Sequence, residues 1–123
     1  MKFFRYTLAF IVSYFLWSND LHSQSKTIDS LENELRVLKK IDTSKVHVLI
    51  NLSYAYSGFD IDKSDEKAQE AYDLAKLLDY KKGEAKSYLR LGHNHIKKAE
   101  LDKAEAVALK ALQLCEEIED QRC

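Results

Sequence analysis

The chain has 123 residues, no proline, three glycines and 46% hydrophobic residues. That length allows one ordinary domain, and the composition fits helices joined by short turns and excludes a turn-rich β fold. A balance of 19 basic against 20 acidic residues, with no block of one sign, excludes an electrostatic nucleic-acid binder.

The first segment differs from the rest. Lys2 and Arg5 precede the uncharged, mostly apolar run Tyr6 to Trp17, which Ser18-Asn19-Asp20 ends. Ser23-Gln24-Ser25 then places small residues at alternate positions, and the whole order is that of a secretory signal peptide. The apolar run is about 18 Å long as a helix, short for a hydrocarbon core of about 30 Å. Residues 1–25 are therefore expected to be a leader cleaved near Ser23 to Ser25. No cysteine follows the run, which argues against a lipid-modified start.

Residues 26–45 read as a linker and one helix, with Ile28, Leu31, Leu35, Leu38 and Ile41 at helical spacing and Asp29 with Glu32 as its capping pair. Thr43-Ser44 offers the next cap. A second helix presents Val46, Leu49, Ile50, Leu52, Ser53 and Tyr56, and Gly58 to Asp60 makes a turn where glycine supplies a left-handed end. A third runs from Ser64 to Asp79 with Ala68, Ala71, Leu74, Ala75 and Leu78 on one side. Tyr80 to Gly83 turns the chain into a fourth, Glu84 to Lys98, with Ala85, Tyr88, Leu89, Leu91, Gly92 and Ile96 inward. The fifth, Leu101 to about Asp120, has Leu101, Ala104, Ala108, Ala111, Cys115 and Ile118 inward. Small residues at these contact positions allow close helix approach.

Half of this pattern is written twice. Ile61-Asp62-Lys63 returns as Leu101-Asp102-Lys103, and in that register Ala68, Ala71, Leu74, Ala75 and Leu78 meet Ala108, Ala111, Leu114, Cys115 and Ile118. Leu49, Leu52, Ser53 and Tyr56 correspond to Tyr88, Leu91, Gly92 and His95, one residue out of step. A repeat of about 40 residues suits a pair of helices. The expected fold is all-α, with antiparallel helix-turn-helix repeats forming an α-solenoid: about two repeats, residues 46–123, plus one preceding helix.

Tyr88, Leu91-Gly92 and His95 followed by Ala104 and Ala111 resemble the tetratricopeptide repeat (TPR) family, which favours an aromatic, Leu-Gly and an aromatic in its first helix and two alanines in its second. Leu49, Leu52, Ser53, Tyr56, Ser64 and Ala71 fill the same places in the first unit. The sequence departs from the pattern at Ser53, His95 and Ala108, and no terminal proline is present, which favours a longer variant of the repeat. Such repeats behind a leader are similar to the extracytoplasmic sensor regions of bacterial signalling proteins such as histidine kinases. The resemblance implies an exported, periplasmic or extracytoplasmic interaction module, a sensor or scaffold binding a protein or peptide in a groove lined by first helices. Asn51, Tyr54, Lys86, Arg90 and His93 fall at the groove positions. Among them Asn51, Lys86 and Arg90 stand where clamp-type members grip a terminal carboxylate, although Lys86 and Arg90 are also spaced as ordinary solvated helix charges.

Other chemistry is sparse. His93 and His95 point about 200° apart on a helix and cannot share an ion. No nucleophile constellation, phosphate loop or supported carboxylate pair occurs, so neither an enzyme nor a cofactor or metal site is expected. Cys115 matches Ala75, which predicts a small buried residue. Along one helix Cys123 would lie about 12 Å away, too far for a disulfide. In the repeat register the chain stops where a third pair would begin. Val107, Leu112, Leu114 and Ile118 exceed one inward stripe, so the C-terminal helix is expected to offer an association face for further repeats, another domain or a second copy. The competing class is a non-binding spacer or dimerisation segment of a longer protein, and membrane contact is expected only through the leader or an adjoining domain.

Overall fold

The computed structural model describes residues 2–119, without the side chains of 16–21. Within them the chain is all-α: α1 (Lys2–Val37), α2 (Thr43–Tyr56), α3 (Ile61–Leu77), α4 (Lys81–Lys97) and α5 (Leu101–Glu117). No strand occurs among the described residues. Short connections pack each helix against the next, and α4 also contacts α2. The two hairpins α2–α3 and α4–α5 thus sit side by side, with α1 packed on α2. This packing is consistent with a helical repeat.

The last three helices start at Ile61, Lys81 and Leu101, twenty residues apart. Their ends repeat as well. Asp79, Ala99 and Glu119 all take positive φ, at 50°, 59° and 50°. Asp79 N donates to Lys76 O and Tyr80 N to Ala75 O; Ala99 N donates to Ile96 O and Glu100 N to His95 O. These are Schellman closures, which satisfy the last carbonyls of a helix and usually employ glycine. Here other residues carry the left-handed turn. Gly58, expected to supply one, has no positive φ, and α2 ends at Ser57 in right-handed geometry.

Several boundaries differ from the sequence reading. The linker expected at the start of residues 26–45 is helical, because the leader and the following helix are one continuous α1 with neither proline nor glycine to interrupt it. Asp29 and Glu32 therefore lie inside a helix, and Glu32 instead accepts the Tyr56 hydroxyl at 2.6 Å. Asp42, ahead of Thr43-Ser44, caps α2 by accepting from Ser44 N and Lys45 N. Asp60 caps α3, which starts three residues before the expected Ser64, accepting Lys63 N at 3.0 Å. Gly83 lies in the first turn of α4, where a Cβ would stand 2.5 Å from the Tyr80 ring and 3.0 Å from Ala75 Cβ, so no larger residue fits unchanged.

The core gathers around α2. Ile28, Val48, Leu52 and Tyr56 form one cluster; Val46, Leu49, Ala71 and Ala75 form another, and Leu35 touches both. The second hairpin packs through small residues: Ala85, Ala104 and Ala111 are buried, and a Cβ on Gly92 would lie 3.1 Å from Val107. Five residues expected inward are exposed instead: Ile41, Leu89, Ile96, Leu101 and Ala108. Ile41 falls in the α1–α2 connection and Leu101 at the first residue of α5. Ala108 matches the buried Ala68, which lies on a helix flanked by both α2 and α4; α5 contacts only α4. Leu109 and Leu112 on α5 are exposed as well.

Cys115 is disulfide-bonded, correcting the expectation of a reduced packing residue. Cys123 and the expected helix end near Asp120 lie outside the described residues. No helix among those residues is long and apolar enough to cross a membrane.

Candidate functional site

The α2–α4 contact brings two surface stripes together. On α4, Lys86, Arg90, His93 and Lys97 recur at helical spacing and lie on one face. On α2, Asn51 and Tyr54 are exposed, and Tyr54 meets the α4 stripe: the Arg90 guanidinium carbon stands 5.1 Å from the centre of its ring.

Tyr54 also borders a groove of about 420 Å³, together with Ala55, Ser57 and Gly58 at the end of α2, His93 and Lys97 on α4, and Ser23, Gln24 and Thr27 on α1. None of these lining residues is acidic. Lys97 Nζ donates to Ser57 O at 2.7 Å, tying the ends of α2 and α4 together and fixing an ammonium at the rim. His93 is held below the ordinary imidazole range by loss of water on its inner side and then by the charges of Arg90 and Lys97. At neutral pH the groove's positive charge therefore comes from Lys97 and neighbouring Arg90.

Arg90 is the least satisfied polar group of the region. Its Nε and Nη2 are buried without a hydrogen-bond partner among the described residues. Burial pulls its guanidinium below the usual arginine range, an effect that Tyr54 partly offsets.

Of the five residues placed in a groove from the sequence, Tyr54, Arg90 and His93 come together. Tyr54 and His93 line this groove, Arg90 stands beside it against the Tyr54 ring, and Asn51 and Lys86 lie on the same helices outside it. Sequence reasoning missed Lys97, although its spacing of four from His93 was a usable signal, and missed the α1 wall because that stretch was read as leader and linker.

It also missed a buried polar junction beneath the site. Ser64 Oγ donates to Ser53 O at 2.6 Å and lies 3.1 Å from Ser53 Oγ. Asn94 Nδ2 donates to Ser64 Oγ and Asp65 Oδ1, both at 2.8 Å. Lys98 Nζ closes the chain on Asp65 and Asp62, and those hydrogen bonds hold its ammonium charged beyond the usual lysine range. His95 is occupied separately: its Nδ1 lies 2.7 Å from Glu100 Oε2, and Glu100 also accepts from Lys103. No group of three or more His, Cys, Asp or Glu able to hold a metal ion occurs among the described residues.

Comparison of the chain with protein-family models, curated proteins and solved structures finds no match.

Proposed function

We propose that the chain is an exported helical-repeat module of the TPR type, working by protein–protein contact as the sensor or scaffold portion of a bacterial envelope signalling protein. It binds a peptide or extended protein segment in the groove lined by α2 and α4. The observation that carries this reading is the acid-free groove in which Tyr54, His93 and Lys97 meet, on a protein whose net charge is −1. The test is a photo-crosslinking residue in place of His93, with Gln69 on the exposed face of α3 as the control position. A discrete peptide or protein adduct at 93 and none at 69 is expected; equal labelling at both positions, or none at 93, counts against the groove.

Export draws support from the basic start and from the exposure of the apolar run: Phe10 is 81% exposed and Tyr14 77%. Cleavage near Ser23 to Ser25 would remove part of the α1 wall and widen the groove. Intact-mass measurement of protein recovered from the periplasm is expected to give a chain beginning there, and a species retaining Met1 to Trp17 would contradict it.

A second reading, a spacer or dimerisation segment, is favoured by Leu109 and Leu112, exposed on the outer helix. Analytical ultracentrifugation at rising concentration separates the two: dimerisation that survives charge reversal at Arg90, without any groove ligand, favours the spacer.

A further inference from the structure

We propose that the cleft between α3 and α5 is a second binding site, one for a small organic amine in its protonated form. It shares no lining residue with the α2–α4 groove and does not rest on that reading. The cleft has a volume of about 560 Å³. Tyr88, Leu91 and His95 of α4 form its floor, and all three are half-buried. In the repeat register their counterparts are Leu49, Leu52 and Tyr56, which are 2%, 0% and 5% exposed. The difference lies in the preceding helix. α1 packs Ile28, Leu31 and Leu35 on α2, whereas α3 lines the corresponding strip of α4 with Asp65, Glu66 and Tyr72. The first unit is sealed by aliphatic side chains, and the second keeps an opening with an aromatic and acidic wall.

That wall favours a cation. The Tyr72 and Tyr88 ring centres stand 4.5 Å apart with the planes tilted by 46°, and a π face attracts positive charge. Each ring already carries an ammonium of the chain: Lys110 Nζ lies 5.7 Å from the centre of Tyr88, and Lys76 Nζ 6.0 Å from that of Tyr72. Lys110 also lines the cleft, reaching it from α5. Its side chain is an alkylammonium on a four-carbon stem, so the chain's own occupant has the chemistry of the inferred ligand. Lys110 is exposed and its stem is flexible, so it lifts off the ring readily. Glu66 supplies the opposite charge. Its side chain is 62% exposed, and it shares Lys67 with Glu70, which lies nearer, at 3.0 Å against 3.3 Å. Asp65 is committed to Asn94 and Lys98, which leaves Glu66 as the adjustable partner.

The test follows the ring signals of Tyr72 and Tyr88 in proton–carbon spectra of the full chain at constant ionic strength. Four probes are added in turn: butylammonium, diaminobutane, neutral butanol, and an N-acetylated, amidated alanine pentapeptide with a central lysine. Butylammonium is expected to shift both rings and to bind about two- to fivefold more tightly than butanol. Diaminobutane should bind more tightly again, because its second ammonium reaches Glu66. Lys110→Gln should tighten butylammonium about two- to fivefold by clearing the ring, and Glu66→Gln should weaken diaminobutane about two- to fivefold. Both substituted side chains are exposed, so the fold is kept. Butanol binding as tightly as butylammonium, or rings unmoved by either amine at concentrations on the order of 10 mM, overturns the proposal. So does an unchanged affinity in Lys110→Gln. A lysine peptide that outbinds the free amines makes the cleft a docking place for a protein. Ring signals that move with protein concentration alone make it a contact between copies, and either result likewise overturns the small-molecule site. Cross-linking at position 93 tests the groove separately, so either site can fail without the other.

Discussion

Asn94 on α4 donates its Nδ2 to Ser64 Oγ on α3 at 2.8 Å, joining the two hairpins through a fully buried hydrogen bond. Ser64 Oγ in turn donates to Ser53 O, so all three helices of the junction are linked by one chain of donors. Removing one partner leaves the others dry and unpaired, which costs about 1–3 kcal/mol. Asn94→Ala and Ser64→Ala are each expected to lower stability by that amount. Urea denaturation of the pair should show a coupling of about 0.5–3 kcal/mol; strictly additive losses would mean that the bond does not join the hairpins.

Alkaline pH should loosen the same fold. Burial and the hydrogen bond to Glu32 push the Tyr56 hydroxyl up to about 12, and burial with the hydrogen bond to Tyr72 pushes Tyr88 up to about 12. The folded state thus favours the neutral phenols. Their contribution is complete below the ordinary tyrosine value of 10.0 and is lost as pH rises towards about 12. The thermal midpoint should fall across that window, and Tyr56→Phe together with Tyr88→Phe should flatten the fall.

The alanines at the hairpin contacts have no room to grow. Ala71 and Ala111 are both 0% exposed. Leucine at either position is expected to cost about 1–3 kcal/mol through overpacking. An unchanged thermal midpoint for Ala111→Leu would place that face of α5 in solvent.

Ala99 invites the opposite change. At φ 59° its Cβ crowds the backbone, as a left-handed conformation does for any residue but glycine. Ala99→Gly keeps the Schellman closure and should stabilise the chain by about 0.5–1 kcal/mol, measured as a raised denaturation midpoint. A loss of stability would show that the alanine side chain makes contacts worth more than the strain.

The internal repeat made much of this fold legible. Ser53 and Ser64 stand in register with Gly92 and Ala104, and the same contact recurs: a hydrogen bond in the first unit, and in the second a glycine whose Cβ would lie 3.7 Å from Ala104 O. Periodicity identified five helical segments and the first-helix positions of Tyr54, Arg90 and His93. It gave no hint of Asn94, whose counterpart is the apolar Ala55, nor of Asp79 and Ala99 as left-handed closures.

What the sequence determined by itself is local and repetitive: helix type, approximate length, the forty-residue pairing and the small contact residues, all written in spacing along the chain. What only the tertiary structure decided is neighbourhood. Leu89 and Ile96 keep an inward-looking spacing yet stand in solvent, Ile96 at 58% exposure, because a helix's apolar positions are buried only where another helix lies beside them. The same reason brought Tyr54 to Arg90, whose Nε and Nη2 have no acceptor among the described residues: residues 36 positions apart share no periodicity, and only the packing of α4 on α2 sets the distance between them.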